Sequence, residues 1–292
     1  MGGTIVKFGA VFPQIEFGND PVAIRDYAQA AEGMGFEHII VYDHVVGANA
    51  ASRPGWSGAY NHNNPFHEPF VFFGYLAGVT ETIGLVTAVI ILPQRQTALV
   101  AKQAAEVDVL SGGRLRLGIG TGWNQVEYEA LGENFHNRGR RSEEQIKLMR
   151  QLWTNELVTF DGRWHKVTDA GINPLPVQRP IPVWLGGSAD QVIKRVATIA
   201  DGWFPAMRPD DRVRAALDRI RSLATEAGRD PADIGIQSSV SIRESTPDDW
   251  RADIDTWREL GATHMSVNTM NAGITTPQGH IDAIRKFNEA VD

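Results

Sequence analysis

Along this sequence, continuous apolar runs typical of buried strands alternate with segments whose apolar residues have helical spacing. Residues 83–124 contain both patterns. Residues 85–92 are apolar at every position except Thr87, a pattern typical of a parallel strand covered on both faces. Residues 98–110 carry apolar side chains at helical spacing and end in Ser-Gly-Gly at 111–113, which predicts a helix with a glycine stop. Its predicted buried stripe is Ala101, Ala104, Ala105 and Val109. Residues 115–119 predict a second strand, which runs into Gly118, Gly120 and Gly122.

The same alternation of strand and helix continues along the chain without a composition break. Strands are predicted at 7–12, 38–42, 85–92, 115–119, 183–185, 202–204, 234–240 and 264–267. Helices are predicted at 21–34, 69–79, 98–110, 141–153, 189–199, 210–227, 247–260 and 279–291. A long loop is expected at 44–67, and an inserted hairpin at 155–180. Eight strands alternating with eight helices predict an α/β fold, a (β/α)8 TIM barrel formed as a single domain by residues 1–292.

Composition narrows the classes of function. The chain has no cysteine, which excludes disulfides, thiolate metal sites and a cysteine nucleophile. A net charge of −7 disfavours nucleic acid as the main partner. No secretory signal pattern opens the sequence, and no apolar run approaches the length of a membrane span. We therefore expect a cytoplasmic protein that acts on a small molecule.

In a (β/α)8 barrel the chemistry lies at the carboxyl ends of the strands. The residues predicted there include one imidazole, few carboxylates, several glycines and apolar side chains, which suits a planar apolar cofactor with a phosphate tail better than a hydrolase. Asp43 and His44 are the main catalytic candidates, because an imidazole can donate or accept a proton near neutral pH. The alternative is a histidine satisfied by a backbone carbonyl in the loop.

Two glycine-rich turns are candidate cofactor sites. The turn at 118–122 has GxGxG spacing in mid-chain, which does not fit a dinucleotide-binding fingerprint. Its backbone N–H groups could contact an anion, or its small residues could only permit close packing. Gly186, Gly187 and Ser188 precede a predicted helix, and they could bind a phosphate or form an ordinary N-cap.

Six blocks in order resemble the luciferase-like flavin/deazaflavin oxidoreductase superfamily, and specifically its branch that uses the deazaflavin coenzyme F420. They are YDHVVG at 42–47, LPQRQ at 92–96, LSGGRLRLGIGTGW at 110–123, RGRRSEEQIKLMRQLW at 138–153, PVWLGGSA at 182–189 and ADGWFP at 200–205. The resemblance implies a hydride-transferring oxidoreductase with coenzyme F420 as cofactor. An FMN-dependent monooxygenase is the alternative, and a non-catalytic flavin or deazaflavin carrier is a third possibility. A metal-dependent hydrolase is disfavoured, because the strand ends lack ligand carboxylates.

The resemblance also implies roles for individual residues. His44, with Asp43, would lie against the deazaflavin ring, and Gln14 would replace a glutamate that some relatives carry. A bulge in the third strand, with a non-prolyl cis peptide at Val89–Ile90, would press against one face of the ring. The residues expected to bind the cofactor are Asp43, Val89, Ile90, Gly120, Thr121, Gly122, Trp123, Asn124, Gly186, Gly187, Ser188 and Trp203. Related enzymes are often dimers, so we expect a homodimer.

Other candidates remain open or are disfavoured. His62, His67 and Glu68 match no zinc-ligand spacing, so a metal is not expected. The basic run at 138–141 could bind the oligoglutamate tail of a deazaflavin or form a solvated helix start. Trp56 and Tyr60 could form a lid over a substrate or could pack locally within the loop. The sequence does not identify the substrate.

Overall fold

A computed structural model describes residues 6–291 and shows a closed barrel of parallel strands surrounded by helices. The barrel strands are β1 (Lys7–Val11), β2 (His38–Val41), β3 (Gly84–Thr87), β4 (Ile90–Ile91), β5 (Leu115–Gly120), β8 (Val183–Gly186), β9 (Gly202–Phe204), β10 (Gly235–Ser241) and β11 (His264–Asn268). Strand β11 pairs with β1, and β3 pairs with both β2 and β5, which closes the ring. Strands β3 and β4 are two halves of the third barrel strand, so the predicted (β/α)8 barrel is confirmed.

The helices lie outside the barrel in the predicted alternation. They are α1 (Pro21–Gly33), α2 (Pro69–Val79), α3 (Thr97–Leu110), α4 (Gln125–Ala130), α5 (Arg138–Thr154), α6 (Asp190–Ile199), α7 (Asp211–Glu226), α8 (Pro247–Glu259) and α9 (Pro277–Val291). The short helix α4, which precedes α5, was not predicted. In the described part of the chain, no helix is both long enough and apolar enough to cross a membrane.

One predicted helix stripe is partly wrong. Ala101, Ala104 and Ala105 of α3 are fully buried, but Val109 is 37% exposed. Asp108 turns inward instead, and its carboxylate accepts hydrogen bonds from the backbone N and from Nε2 of Gln178. A buried aspartate with satisfied oxygens thus anchors the loop after the inserted hairpin to the last turn of α3.

The third barrel strand is broken where a single strand was predicted at 85–92. The backbone leaves the ladder after Thr87, passes a cis peptide at Ala88–Val89, and pairs again at Ile90 opposite Ile119. The predicted position Val89–Ile90 is therefore wrong by one residue. The pairing of Ile90 with Ile119 buries Ile90 in the hydrophobic core and leaves Val89 at the cavity wall.

Glycines on the inner face make room for large side chains at the amino ends of the strands. A Cβ on Gly9 would lie 2.3 Å from the Nε2 atom of His38, and Cβ atoms on Gly202 and Gly235 would overlap the indole of Trp184. Arg116 stacks on the same indole with its guanidinium carbon 4.5 Å from the ring centre. These side chains fill the amino end of the barrel.

The inserted hairpin predicted at 155–180 is confirmed as β6 (Val158–Asp161) and β7 (Lys166–Ala170), an antiparallel pair. Glu144 of α5 holds its turn, because its carboxylate accepts the backbone N–H groups of Arg163, Trp164 and His165. The ring of His165 bridges Glu144 to the hydroxyl of Thr97 at the start of α3. The hairpin is therefore docked on two barrel helices.

Candidate active site

A cavity of about 650 Å³ opens at the carboxyl ends of the barrel strands. Its size lies in the range of small-molecule and cofactor sites. The predicted residues that line it are Asp43, His44, Val89, Gly120, Thr121, Gly122, Trp123, Gly186, Gly187 and Ser188. The structure therefore brings together residues from the ends of several different strands.

Four predicted site residues lie outside the cavity wall. Ile90 is buried in the core, and Asn124 caps α4 by accepting a hydrogen bond from the backbone N of Val126. The indole of Trp203 donates to the backbone oxygen of Gly187 at 2.7 Å, so this residue supports the cavity from behind.

Gln14, the fourth of these residues, is fully buried, and its amide donates to the carbonyl of Tyr42 and accepts from the N–H of Tyr42. Since its amide is engaged on both sides, Gln14 holds the ends of β1 and β2 together.

Asp43 borders the cavity, but its carboxylate points into the protein. One oxygen accepts from the backbone N of Ile91 at 3.0 Å, and the other accepts from the guanidinium of Arg95 at 2.7 Å. Arg95 also pairs with Glu68, whose carboxylate caps α2. Burial raises the pKa of Asp43 in spite of the Arg95 charge. Asp43 therefore braces the third strand beside its break.

His44 is oriented by a carboxylate that the sequence did not single out. Its Nδ1 atom lies 3.2 Å from Oε1 of Glu127, a residue of α4 that is 1% exposed. The backbone N–H groups of Val45 and Val46 donate to the same carboxylate oxygen. Because Glu127 engages Nδ1, the Nε2 atom is the ring nitrogen available for proton exchange, and it has no hydrogen-bond partner within residues 6–291.

The charge of Glu127 follows from these contacts. Burial alone would raise its pKa, but the hydrogen bond and charge of His44 and the N–H groups of Val45 and Val46 lower it overall. Glu127 is therefore a carboxylate at neutral pH.

The sequence offers one signal for Glu127, the spacing Asn124-x-x-Glu127, which is also the spacing of a helix capping box. In the structure, the Glu127 side chain reaches across to His44 instead of back to the cap.

The side chain of Val89 forms an apolar ridge at the cavity wall. A Cβ on Gly120 would lie 2.4 Å from one methyl group of Val89, and a Cβ on Gly186 would lie 2.8 Å from the other. The two glycines therefore permit the close packing that places Val89 at this point. A ridge of this kind in an apolar wall provides a contact surface for one face of a planar ring.

The turn at 186–189 differs from an ordinary helix cap. The N-cap of α6 is Ala189, whose side chain cannot accept a hydrogen bond, and Ser188 is exposed at the cavity edge. Of the two roles considered for Ser188, the ordinary N-cap is therefore excluded, and the phosphate site stays a prediction. Within the described residues, no lysine or arginine lines the cavity. An anion at this edge would depend on backbone N–H groups at the start of α6 and on the Ser188 hydroxyl.

Aromatic side chains of loop 44–67 surround His44. The rings of Tyr60 and Phe66 meet its imidazole edge to face, with centroids at 5.1 and 4.7 Å. Tyr60 lines the cavity, whereas Trp56 packs against Trp123 at the rim. Trp56 and Tyr60, the two residues considered as a lid, are thus packed on neighbouring side chains of the site.

Several of the remaining candidates have structural partners. His67 stacks on Phe72 of α2. In the basic run, Arg141 is buried against Glu133 and donates to the carbonyl of Pro93, while Arg138 lies over the ring of Phe135. None of the residues 138–141 lines the cavity.

The barrel and its cavity define a (β/α)8 enzyme with a site for a flat cofactor at the carboxyl ends of the strands. The chain belongs to the luciferase-like monooxygenase family, whose sequence profile matches residues 6–289. Members of this class work with a flavin or a deazaflavin, and the similar proteins described next include examples of both.

Three similar proteins illustrate the range of the family. An uncharacterized protein of Mycobacterium tuberculosis is 33% identical over 207 residues, which cover 69% of this chain and 71% of that protein. An FMNH2-dependent dimethylsulfone monooxygenase of Pseudomonas putida is 30% identical over 263 residues, 87% of this chain and 68% of that protein. The structure of an F420-dependent secondary alcohol dehydrogenase with an F420-acetone adduct matches with a TM-score of 0.77 at 18% identity, covering all of both chains.

Proposed function

We propose that this protein is an oxidoreductase that transfers a hydride between coenzyme F420 and a small organic substrate, with His44 as the acid/base. The observation that carries the proposal is the His44–Glu127 pair at the wall of a largely apolar cavity. Reaction at an alcohol or carbonyl moves a proton at oxygen together with the hydride at carbon. A carboxylate-held imidazole supplies that proton partner.

The cavity fits a deazaflavin in two respects. Val89 supplies a ridge for one face of a ring, and the Ser188 hydroxyl with the backbone N–H groups at the start of α6 would donate to a phosphorylated chain, while the N–H of Gly187 is bonded to the carbonyl of Phe204. A bound deazaflavin carries hydride and does not react readily with oxygen, since carbon replaces the reactive ring nitrogen. Residues 120–123 line the same cavity and would also contact the cofactor, and Nε2 of His44 would take the proton from a substrate hydroxyl or return it to a carbonyl.

Titration of the purified protein with F420 and with FMN, followed by fluorescence, tests the cofactor. Saturable FMN binding with no response to F420 would refute the proposal. His44→Ala tests the acid/base role and should bind F420 normally while hydride transfer falls roughly 100-fold or more. The matched control is His136→Ala, an exposed histidine away from the cavity.

An FMN-dependent monooxygenase is the second candidate, and the identity to the Pseudomonas putida enzyme favours it. It predicts oxygen consumption with reduced FMN and substrate, which F420 would not support. A non-catalytic carrier predicts tight cofactor binding that is the same in the wild-type protein and in His44→Ala, without turnover in either.

We also propose that the protein forms a homodimer through helix α2. Its side chains are apolar apart from the hydroxyl of Tyr75, which donates to the carbonyl of Pro21, yet Val71 is 74% exposed and Tyr75 is 38% exposed. A Cβ added to Gly74 or Gly78 of the same helix would meet no other part of the chain within 4 Å, so the face is open to a close neighbour. Covering such an apolar face with a second copy would stabilise it.

A further inference from the structure

A second cavity, of about 200 Å³, lies beside the main one. It is lined largely by polar residues of loop 44–67 together with Asn124 of the next turn, and its polar members include Asn61, His62 and Asn64. His44 and Tyr60 line both cavities. The imidazole proposed as the acid/base therefore borders two separate spaces.

The polar groups of the second cavity are suited to hold water. The side-chain oxygens of Asn61 and Asn64 accept backbone N–H groups within their own turn, which leaves their NH2 groups free for other partners. Buried water typically needs two to four such partners, and about 30 Å³ of liquid volume accommodates one molecule. The cavity has room for several water molecules.

His62 lies at the outer side of this cavity. It is exposed, and its ring makes no hydrogen bond with residues 6–291. Its backbone N–H donates to the carbonyl of Ala48, so the main chain is held in place while the ring is free. Its ring nitrogens therefore remain available for hydrogen bonds with water on both sides.

Proton exchange between His44 and bulk solvent needs a route that does not pass through the main cavity. A cofactor and a substrate in the main cavity would exclude bulk water from that side. The Nδ1 atom is occupied by Glu127, which is itself buried. A proton taken from a substrate must still leave the ring before the next turnover.

We propose that the second cavity is a water-filled path for protons between His44 and bulk solvent, with His62 as its outer relay. The inference rests on the proposed acid/base role of His44. In the oxidative direction, the imidazolium of His44 gives one proton to a cavity water, which passes one proton to His62, and His62 releases it to solvent. Reduction runs the same path inward. Only protons move along it, so no electron acceptor is needed.

The test measures proton exchange at the His44 ring by NMR of protein labelled with 15N-histidine and saturated with F420. His44→Gln identifies the signal, because it removes it. We expect His62→Leu to slow exchange at His44 by roughly tenfold or more, and added imidazole to restore the rate. His62→Gln, which retains polarity but cannot relay a proton, should slow exchange as well. His136→Leu is the matched control and should leave the rate unchanged.

An exchange rate in His62→Leu equal to that of the wild-type protein would overturn the relay, as would a reduced rate that imidazole does not restore. These outcomes differ from a failure of the proposed function. If FMN binds and F420 does not, the same measurement is made on the FMN-saturated protein, and slower exchange in His62→Leu would still support the path. If His44→Ala retains full hydride transfer, the acid/base role fails whatever the exchange rate shows.

Discussion

The carboxylate of Glu127 lies 3.2 Å from Nδ1 of His44, although the two residues are 83 positions apart in the sequence. Glu127 comes from the short helix after β5, and His44 follows β2. The backbone N–H groups of Val45 and Val46 hold the same carboxylate. Groups of the protein itself therefore orient the imidazole.

Glu127→Gln should slow hydride transfer by roughly 10- to 100-fold, a typical cost of removing a group that orients a functional histidine. The amide can still accept from Nδ1, but it no longer stabilises the imidazolium by charge. Stopped-flow absorbance of the F420-loaded protein measures the step, and F420 affinity should stay the same. Glu129→Gln, an exposed glutamate on the same helix, is the control. A Glu127→Gln rate equal to that of Glu129→Gln would contradict the role.

Gly120→Ala should weaken cofactor binding, because its new methyl group would overlap the side chain of Val89. The overlap would displace the apolar ridge. We expect the Kd for F420 to rise at least tenfold, a change of about 1.4 kcal/mol. Fluorescence titration measures it. Gly33→Ala is the control, since a Cβ there meets no atom within 4 Å.

The double variant Gly120→Ala with Val89→Ala separates overlap from other effects of the glycine. Shortening Val89 removes the methyl group that a Cβ on Gly120 would meet at 2.4 Å. The double variant should therefore bind F420 about as well as Val89→Ala alone, which lacks the ridge but keeps the glycine. If the double variant binds clearly more weakly than Val89→Ala, overlap with Val89 does not explain the effect of Gly120→Ala.

The barrel could be predicted from the sequence because each of its strands and helices is encoded by residues close together in the chain. Buried parallel strands and glycine-ended helices produce periodic patterns over short windows, and the order of strands follows from their alternation with helices. The strand ends then indicate where the cavity lies, and residues such as His44 and Gly186 were found in this way.

Contacts between distant segments could not be predicted in the same way. Nothing local distinguishes the Glu127 that orients His44 from a capping-box glutamate. Similarly, Gln14 lies just after a strand but turns its amide to Tyr42 rather than into the cavity. The break in the third strand depends on the pairing of Ile90 with Ile119, which is a property of the assembled sheet.

Glu144→Gln should destabilise the protein at neutral pH by about 1–3 kcal/mol, since the carboxylate accepts several hydrogen bonds in the hairpin turn. Partial burial raises the pKa of Glu144, but bonds from the Trp164 N–H, the His165 ring and neighbouring N–H groups lower it overall. A carboxyl with a lowered folded-state pKa stabilises the fold above its unfolded pKa, and this stabilisation is lost as pH falls through the folded pKa.

The difference in stability between wild type and Glu144→Gln should therefore be largest near pH 7 and shrink toward acid pH. Thermal unfolding at a series of pH values measures it. Glu156→Gln provides a control, because this glutamate is exposed and next to the same hairpin. A difference that stays constant with pH would show that the charge of Glu144 does not contribute.

Val71→Glu should convert the proposed homodimer to a monomer, since it places a charge in the exposed apolar face of α2. Light scattering after size-exclusion chromatography measures the mass. Leu157→Glu is the matched control, as Leu157 is 64% exposed on the inserted hairpin rather than on α2. A wild-type protein that runs as a monomer, or a Val71→Glu protein that remains dimeric, would exclude this interface.

The filled amino end of the barrel has a kinetic consequence. His38, Arg116 and the Trp184 indole occupy the space that Gly9, Gly202 and Gly235 leave open, so ligands reach the main cavity from the carboxyl end. If the proposed cofactor and substrate both enter from this end, the one held deeper must bind first and leave last, so initial-rate kinetics should show a compulsory order of binding.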